Sequence, residues 1–412
     1  MIRSILSACA ALAIAWGSPA LGADSKCKLI RIAEWPVRFQ GNLPVIEGAI
    51  DGKKVGILLD TGAYASLVTK DAAERLGLAT RITNDFAQGV GGASRILVTR
   101  LQELRVGDAV RTNVRVRVAG EQPIRGVDFI LGDDFFKNID MEFDYSKGVI
   151  RLFQAQDCKG AALAYWDPGA FQVPLQDESK IVLSVRVNGR EGRALLASGA
   201  STSVVSEYFA AKLGITPQSP GVVPSGCASG IGQDVVHSWV AQFDTVAVGD
   251  ELIRNPRLRI EDLMSEIANT RHAPPDMLLG TDFLRAHRVL VARSQEKVYF
   301  SYAGGLVFPA TPGFACAERK GKSAAEQLAE YDEIPAKNPD DTKALLGRAL
   351  ARSRNRNVDG ALADLDAAIR LQPNDAVALY TRAGLRASQK QDRKSTRLNS
   401  SHIQKSRMPS SA

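Results

Sequence analysis

The chain is poor in the groups that most often carry metals or bind nucleic acid. Among its 412 residues are four histidines, four tryptophans and five cysteines, and aromatic residues make up 6%. The histidines are scattered and no two cysteines stand at zinc-ligand spacing, so neither a metal nor a cofactor is expected. No basic patch is interleaved with aromatics, which argues against a nucleic-acid partner. The formal charge of +7 does not change this. Residues 390–412 supply +5 of it and Arg3 one more, which leaves +1 for the part expected to fold. The apolar stretch from Ile5 to Trp16 is too short to cross a bilayer as a helix, so no membrane span is expected.

That stretch reads instead as the core of a secretory signal. Arg3 precedes it and Ser18-Pro19-Ala20-Leu21-Gly22-Ala23 follows, so residues 1–22 are expected to be removed on export, leaving a secreted or periplasmic protein. Removal takes Cys9 with it and leaves Cys27, Cys158, Cys227 and Cys316, an even number in an oxidising compartment with three possible pairings. Cys27, Cys158 and Cys316 lie at domain edges, where at least one bridge is expected. Cys227 is expected to be the free thiol.

What the sequence does hold is a pattern that occurs twice. The apolar run Val55-Gly56-Ile57-Leu58-Leu59 ends in Asp60-Thr61-Gly62-Ala63, and 137 residues later Leu195-Leu196 ends in Ala197-Ser198-Gly199-Ala200. Ile50-Asp51-Gly52-Lys53 returns as Val187-Asn188-Gly189-Arg190, each suited to a two-residue hairpin turn. Thr69 and Ser206 each precede a short helical pattern that stops at Gly77 or Gly214. Gly89-Val90-Gly91 pairs with Gly230-Ile231-Gly232. Leu131-Gly132-Asp133-Asp134-Phe135 pairs with Leu279-Gly280-Thr281-Asp282-Phe283. Landmarks repeated in one order indicate an internal duplication.

Each half resembles the retropepsin-like aspartic proteases, through its Asp-Thr-Gly-Ala-type loop, its glycine-rich flap and its later Leu-Gly-x-Asp-Phe motif. The resemblance covers about 28–155 and 172–302, with 156–171 as linker. It implies a mainly β protein: two acid-protease β-barrel lobes in tandem that build one active site. It implies an aspartic endopeptidase acting on a peptide or protein substrate, with Asp60 as catalytic residue. Thr61, Gly62, Ala63, Ala197, Ser198 and Gly199 would form the paired loops. Gly89, Val90, Gly91, Gly92, Gly230, Ile231 and Gly232 would form flaps over an extended peptide.

The departure from the pattern is Ala197, where the resemblance calls for a second aspartate. Two close carboxyls share one proton, so one serves as acid and the other as base; Asp60 alone cannot. Lobe one of two chains would pair in a homodimer, or a monomer would keep a site that is impaired or only binds peptides. A third possibility is a variant of an active parent. A serine hydrolase built on Ser198 lacks both the preceding glycine of a nucleophile elbow and a placed histidine.

From Lys320 the pattern turns alanine-rich and helical. Residues 320–390, with small residues at Ala349, Ala361 and Ala368 and a stop at Pro373, resemble truncated tetratricopeptide repeats, which would offer a surface to a protein partner. Residues 393–412 have no helical period and read as a non-native tail.

Overall fold

The computed structural model describes residues 26–177, 180–232, 234–263, 275–309, 338–354 and 357–375, with parts of 378–386. The expected signal (1–22), Cys316, most of the insertion after Glu261, the start of the helical segment and the tail 393–412 lie outside the described residues. The chain is mainly β, with two strand-rich lobes followed by helices.

Each lobe starts from a hairpin whose turn is written in two residues. Strands Leu43–Ile50 and Lys53–Leu59 are joined by Asp51 and Gly52 at φ 48° and 77°. Strands Val182–Val187 and Arg190–Leu196 are joined by Asn188 and Gly189 at the same angles. Positive φ at both central positions is the turn that follows the natural strand twist, and Asp or Asn before Gly tolerates it. The second strand of each hairpin ends in three buried residues and pairs in parallel with a short buried strand, Phe129–Leu131 or Met277–Leu279. Burial on both faces explains why these runs are continuously apolar.

The helices that follow are capped alike. Thr69 accepts from the Ala72 N–H ahead of Lys70–Leu76, and Ser206 accepts from the Phe209 N–H ahead of Glu207–Lys212. Gly77 ends the first helix in the left-handed region at φ 71°.

The lobes are joined by a six-stranded sheet to which each contributes three strands. Its order is Lys28–Pro36, Val149–Gln156, Asp140–Asp144, His287–Ala292, Lys297–Tyr302 and Phe171–Pro174. At its centre Glu142 faces Leu290, its own counterpart in the repeat, so the pseudo-twofold axis passes between them. Leu59, Phe136, Met141 and Phe143 share one core with Leu196, Phe283, Val289 and Phe300. The axis also carries a buried charge: Glu142 accepts from Arg151 at 2.5 Å, Arg288 at 3.0 Å and the Tyr165 hydroxyl at 2.7 Å.

The connection between lobes leaves the sheet after Gln156 and re-enters it at Phe171. A Cys27–Cys158 disulfide ties its start to the beginning of lobe one across 131 residues. A loop that long stabilises by about 4–5 kcal/mol, chiefly through the unfolded chain. Cys227 corrects the expectation of a free thiol. It is buried and disulfide-bonded.

Helices Thr342–Arg354 and Val358–Leu371 pack around Leu345, Leu346, Ala349, Ala361, Leu365 and Ala368. The three alanines are fully buried and let the helix backbones approach. Arg348 grips both oxygens of Asp364 at 2.7 and 3.0 Å.

Candidate functional site

The site lies where the two loops leave the core. The Asp60 N–H donates to the Leu131 carbonyl and the Ala197 N–H to that of Leu279, each at 2.9 Å. Four buried bonds then cross between lobes. The Thr61 N–H donates to Ser198 Oγ and the Ser198 N–H to Thr61 Oγ1, both at 3.0 Å. The Thr61 hydroxyl donates to the Leu196 carbonyl at 2.5 Å, and the Ser198 hydroxyl to that of Leu59 at 2.7 Å. Each hydroxyl thus donates and accepts across the interface, a reciprocity only Thr or Ser supplies here.

This grip sets Ala197 opposite Asp60. The Asp60 carboxyl lies over Gly199, where an added Cβ would be 2.3 Å from Asp60 Cγ. A Cβ on Gly62 would be 3.5 Å from that of Ala197, an ordinary contact, although only 3.1 Å from Asp60 Oδ1. Neither glycine is in the left-handed region. Gly199 therefore gives room to the carboxyl of the facing loop rather than supplying backbone freedom.

Asp60 is desolvated, and burial raises its pKa above the usual carboxylate range. The Gly62 N–H, the Lys180 ammonium and the N–H groups of Gly199 and Ala63 pull against that rise, in that order. The Gly62 N–H sits 2.8 Å from Asp60 Oδ1.

The other acids near the loops do not replace the missing partner. Asp134 accepts from both the N–H and the hydroxyl of Ser66, and Asp282 does the same for Ser203. These are the repeat's bracing carboxylates, and burial pushes Asp282 up to about 6. Asp133 is ion-paired with Arg293 of lobe two, and its counterpart Thr281 donates to the Ser198 carbonyl at 3.1 Å.

Sequence reasoning missed Lys180 and Arg293, which stand in no motif. Lys180 donates to the Gly62 carbonyl and Arg293 to Asp133. The signal that marks them is a break in the repeat: Lys180 corresponds to Leu43, and Arg293 to Tyr145. Lobe one therefore brings acids to the junction and lobe two brings bases. In a lobe-one homodimer, Asp60 would face Asp60 and Asp133 would lose its arginine. The observed charges favour pairing within the chain.

The expected flap residues meet one another at the tips. Strands Arg81–Gly89 and Gly92–Val106 form the first flap, with Gly89 paired to Gly92. The second is Val223–Ala228 with Val236–Gln242, and Gly230 to Gly232 lie in the loop between. The Gly232 N–H donates to the Val90 carbonyl at 3.1 Å, and that of Asp234 to Gly91 at 2.9 Å. A Cβ on Gly232 would be 1.9 Å from the Gly91 oxygen, so glycine is required for this approach. Ile231 packs against the lobe-one cluster that includes Leu58, Ile96 and Ile130. Among the described residues no cluster of His, Cys, Asp or Glu is arranged to hold a metal, and no helix is long and apolar enough to cross a membrane.

Two β-lobes related by a pseudo-twofold axis, each giving one loop to a shared grip and one flap to a common roof, define the bilobal acid-protease class. Residues 46–138 match the family described as "gag-polyprotein putative aspartyl protease", and residues 183–283 the family described as "Aspartyl protease". The chain carries two retropepsin-like aspartyl protease lobes in tandem. It is also similar to the UBA domain-containing protein Mud1 of Schizosaccharomyces pombe, with 30% identity over 106 residues. That match covers 25% of this chain and 31% of Mud1, so the chain spans about a third of that relative's length.

Proposed function

We propose that the protein is an exported aspartic endopeptidase in design, taking extended peptide segments beneath its flaps, and that turnover in this chain is impaired. The observation that carries this reading is the Thr61–Ser198 grip, which sets Ala197 opposite Asp60. Asp60 remains able to accept a proton from water. Among the described residues no second carboxyl stands across from it to protonate the scissile carbonyl, the other half of the reaction. A non-catalytic peptide-binding scaffold is the second reading, favoured by the same alanine. The pairing of lobes within the chain supports a site that does not depend on lobe-one dimerisation.

The helical pair around Ala349, Ala361 and Ala368 supports a tetratricopeptide segment that recruits a protein partner. The signal-like N-terminus supports export to the periplasm or medium.

The test is a mixed peptide library offered at acidic pH to the unmodified chain, with Asp60→Ala as control. Retention of extended peptides with little cleavage is expected, unchanged on dilution. Robust cleavage by a dilution-insensitive monomer would overturn the impairment. Cleavage that falls on dilution and vanishes with Asp60→Ala would favour lobe-one dimers. No retention and no cleavage would remove both peptide readings.

A further inference from the structure

Lys180 breaks the repeat as sharply as Ala197 does. Its counterpart is the apolar Leu43, yet Lys180 is only 8% exposed. A lysine is rarely buried to that degree unless its charge is met. Its ammonium donates to the Gly62 carbonyl and lies 3.6 Å from the centroid of the Tyr64 ring. Both contacts belong to the loop that carries Asp60, and the N–H of the same Gly62 donates to Asp60. A cation of lobe two is therefore fastened to the acid loop of lobe one, beside the place where Ala197 leaves no carboxyl.

In a two-aspartate site the strain of a desolvated carboxylate is relieved by a shared proton. An ammonium relieves it differently, by favouring the ionised form. We propose that Lys180 is the positioning residue of this site, the cation that holds the Asp60 loop in place and opposes the protonation that burial favours, where the second carboxyl is missing. The cleft then presents a lone carboxyl backed by an ammonium rather than a proton-sharing pair. This rests on the reading of Asp60 as the reactive carboxylate.

Among the described residues the other charges around Asp60 do not supply this. The facing loop, Ala197 to Ala200, carries no charge. From the helix Asp133–Phe136 come Asp133, held by Arg293, and Asp134, held by Ser66. Lys137 and Lys180 both act on Asp133, whereas Lys180 is the cation that acts on Asp60.

The experiment follows the Asp60 carboxyl by 13C NMR through a pH titration of the full chain, with Asp60→Asn to identify its resonance. Lys180→Met should move the Asp60 midpoint upward by about one pH unit or more, the usual influence of a close opposite charge. Lys180→Gln keeps a donor for the Gly62 carbonyl without the charge and should give the same rise. Lys180→Arg should restore most of the original midpoint. An unchanged midpoint in folded Lys180→Met or Lys180→Gln would overturn the proposal. A rise in Lys180→Met that Lys180→Gln reverses would also overturn it, because the hydrogen bond rather than the charge would then be responsible. The readout needs no peptide hydrolysis, so its failure and a failure of the peptidase reading are separable.

Discussion

The two lobes share hairpin, loop, helix and flap, and differ at the few positions where they meet. Lobe one brings Asp60, Asp133 and Glu142 to the junction; lobe two answers with Ala197, Thr281 and Leu290, and adds Lys180 and Arg293. The shared features are geometric, because strand pairing and the Thr61–Ser198 grip tolerate almost no change. The differences are electrostatic. They teach that a duplicated lobe can keep the geometry of a paired-loop site while placing opposite charges across its junction.

The comparison is broken most forcefully by making the lobes alike at the site. Ala197→Asp restores a second carboxyl and should raise peptidase activity by about 10²–10⁴-fold, the usual worth of a placed acid–base partner. The new profile should be bell-shaped and acidic, measured as the pH dependence of kcat/KM on a fluorogenic peptide. An Ala197→Asp protein no more active than its parent would mean that the cleft itself is not competent.

The next largest effect lies on the axis. Glu142→Leu makes lobe one match Leu290, but leaves Arg151 and Arg288 without their most buried partner. A loss of about 3 kcal/mol in urea unfolding is expected, at the low end for a broken buried pair. The low end applies because Asp144 remains 3.0 Å from Arg151. A neutral result would show that the cluster is dispensable.

Ser198→Ala sharpens the comparison instead, because it strips one side of a symmetric grip. It leaves the Thr61 N–H and the Leu59 carbonyl short of a partner, at a cost of about 1–3 kcal/mol. Thr61→Val removes the other side, and a double-mutant cycle should give non-additive losses. Additive losses would mean that the two hydroxyls do not act as one network.

The smallest effect concerns Glu207, which opens its helix where lobe one has Lys70 paired to Glu121. Burial first, then the charge of Asp262, pushes Glu207 up to about 7. Its folded value lies above the unfolded one of about 4.3, so the folded state favours the proton. Stability from this group therefore falls as pH rises from about 4.3 through about 7. Glu207→Gln should gain about 1 kcal/mol near pH 8, after allowance for partial exposure, and nothing near pH 4. A gain of equal size at both pH values would point to packing rather than charge.

Much of this was legible in the chain because it is local. Asp51-Gly52 and Asn188-Gly189 specify their turns whatever surrounds them. Thr69 and Ser206 cap helices through N–H groups three residues on, and the buried runs before Asp60 and Ala197 declare strands by composition. The loop residues and flap glycines were found by order and repetition. Lys180 and Arg293 were not, because a lone basic residue in a sequence looks like any solvated surface charge. The reading of Cys227 as a thiol failed for a related reason: position along the chain does not say which sulfur lies within bonding distance.

By itself the sequence determined that there are two lobes, where each acid loop stands, and that one of them lacks its aspartate. The tertiary structure alone decided that the loops grip each other within one chain. It also decided that Gly199 makes room for the Asp60 carboxyl, that Lys180 serves Asp60's loop, and that Glu142 sits on the axis facing its own counterpart. Turns, caps and strand runs depend on neighbours a few residues apart, whose spacing the chain states directly. The grip joins residues 137 apart, and the Lys180 contact residues 118 apart. Such pairs become neighbours only when the shared core and the six-stranded sheet bring the lobes together.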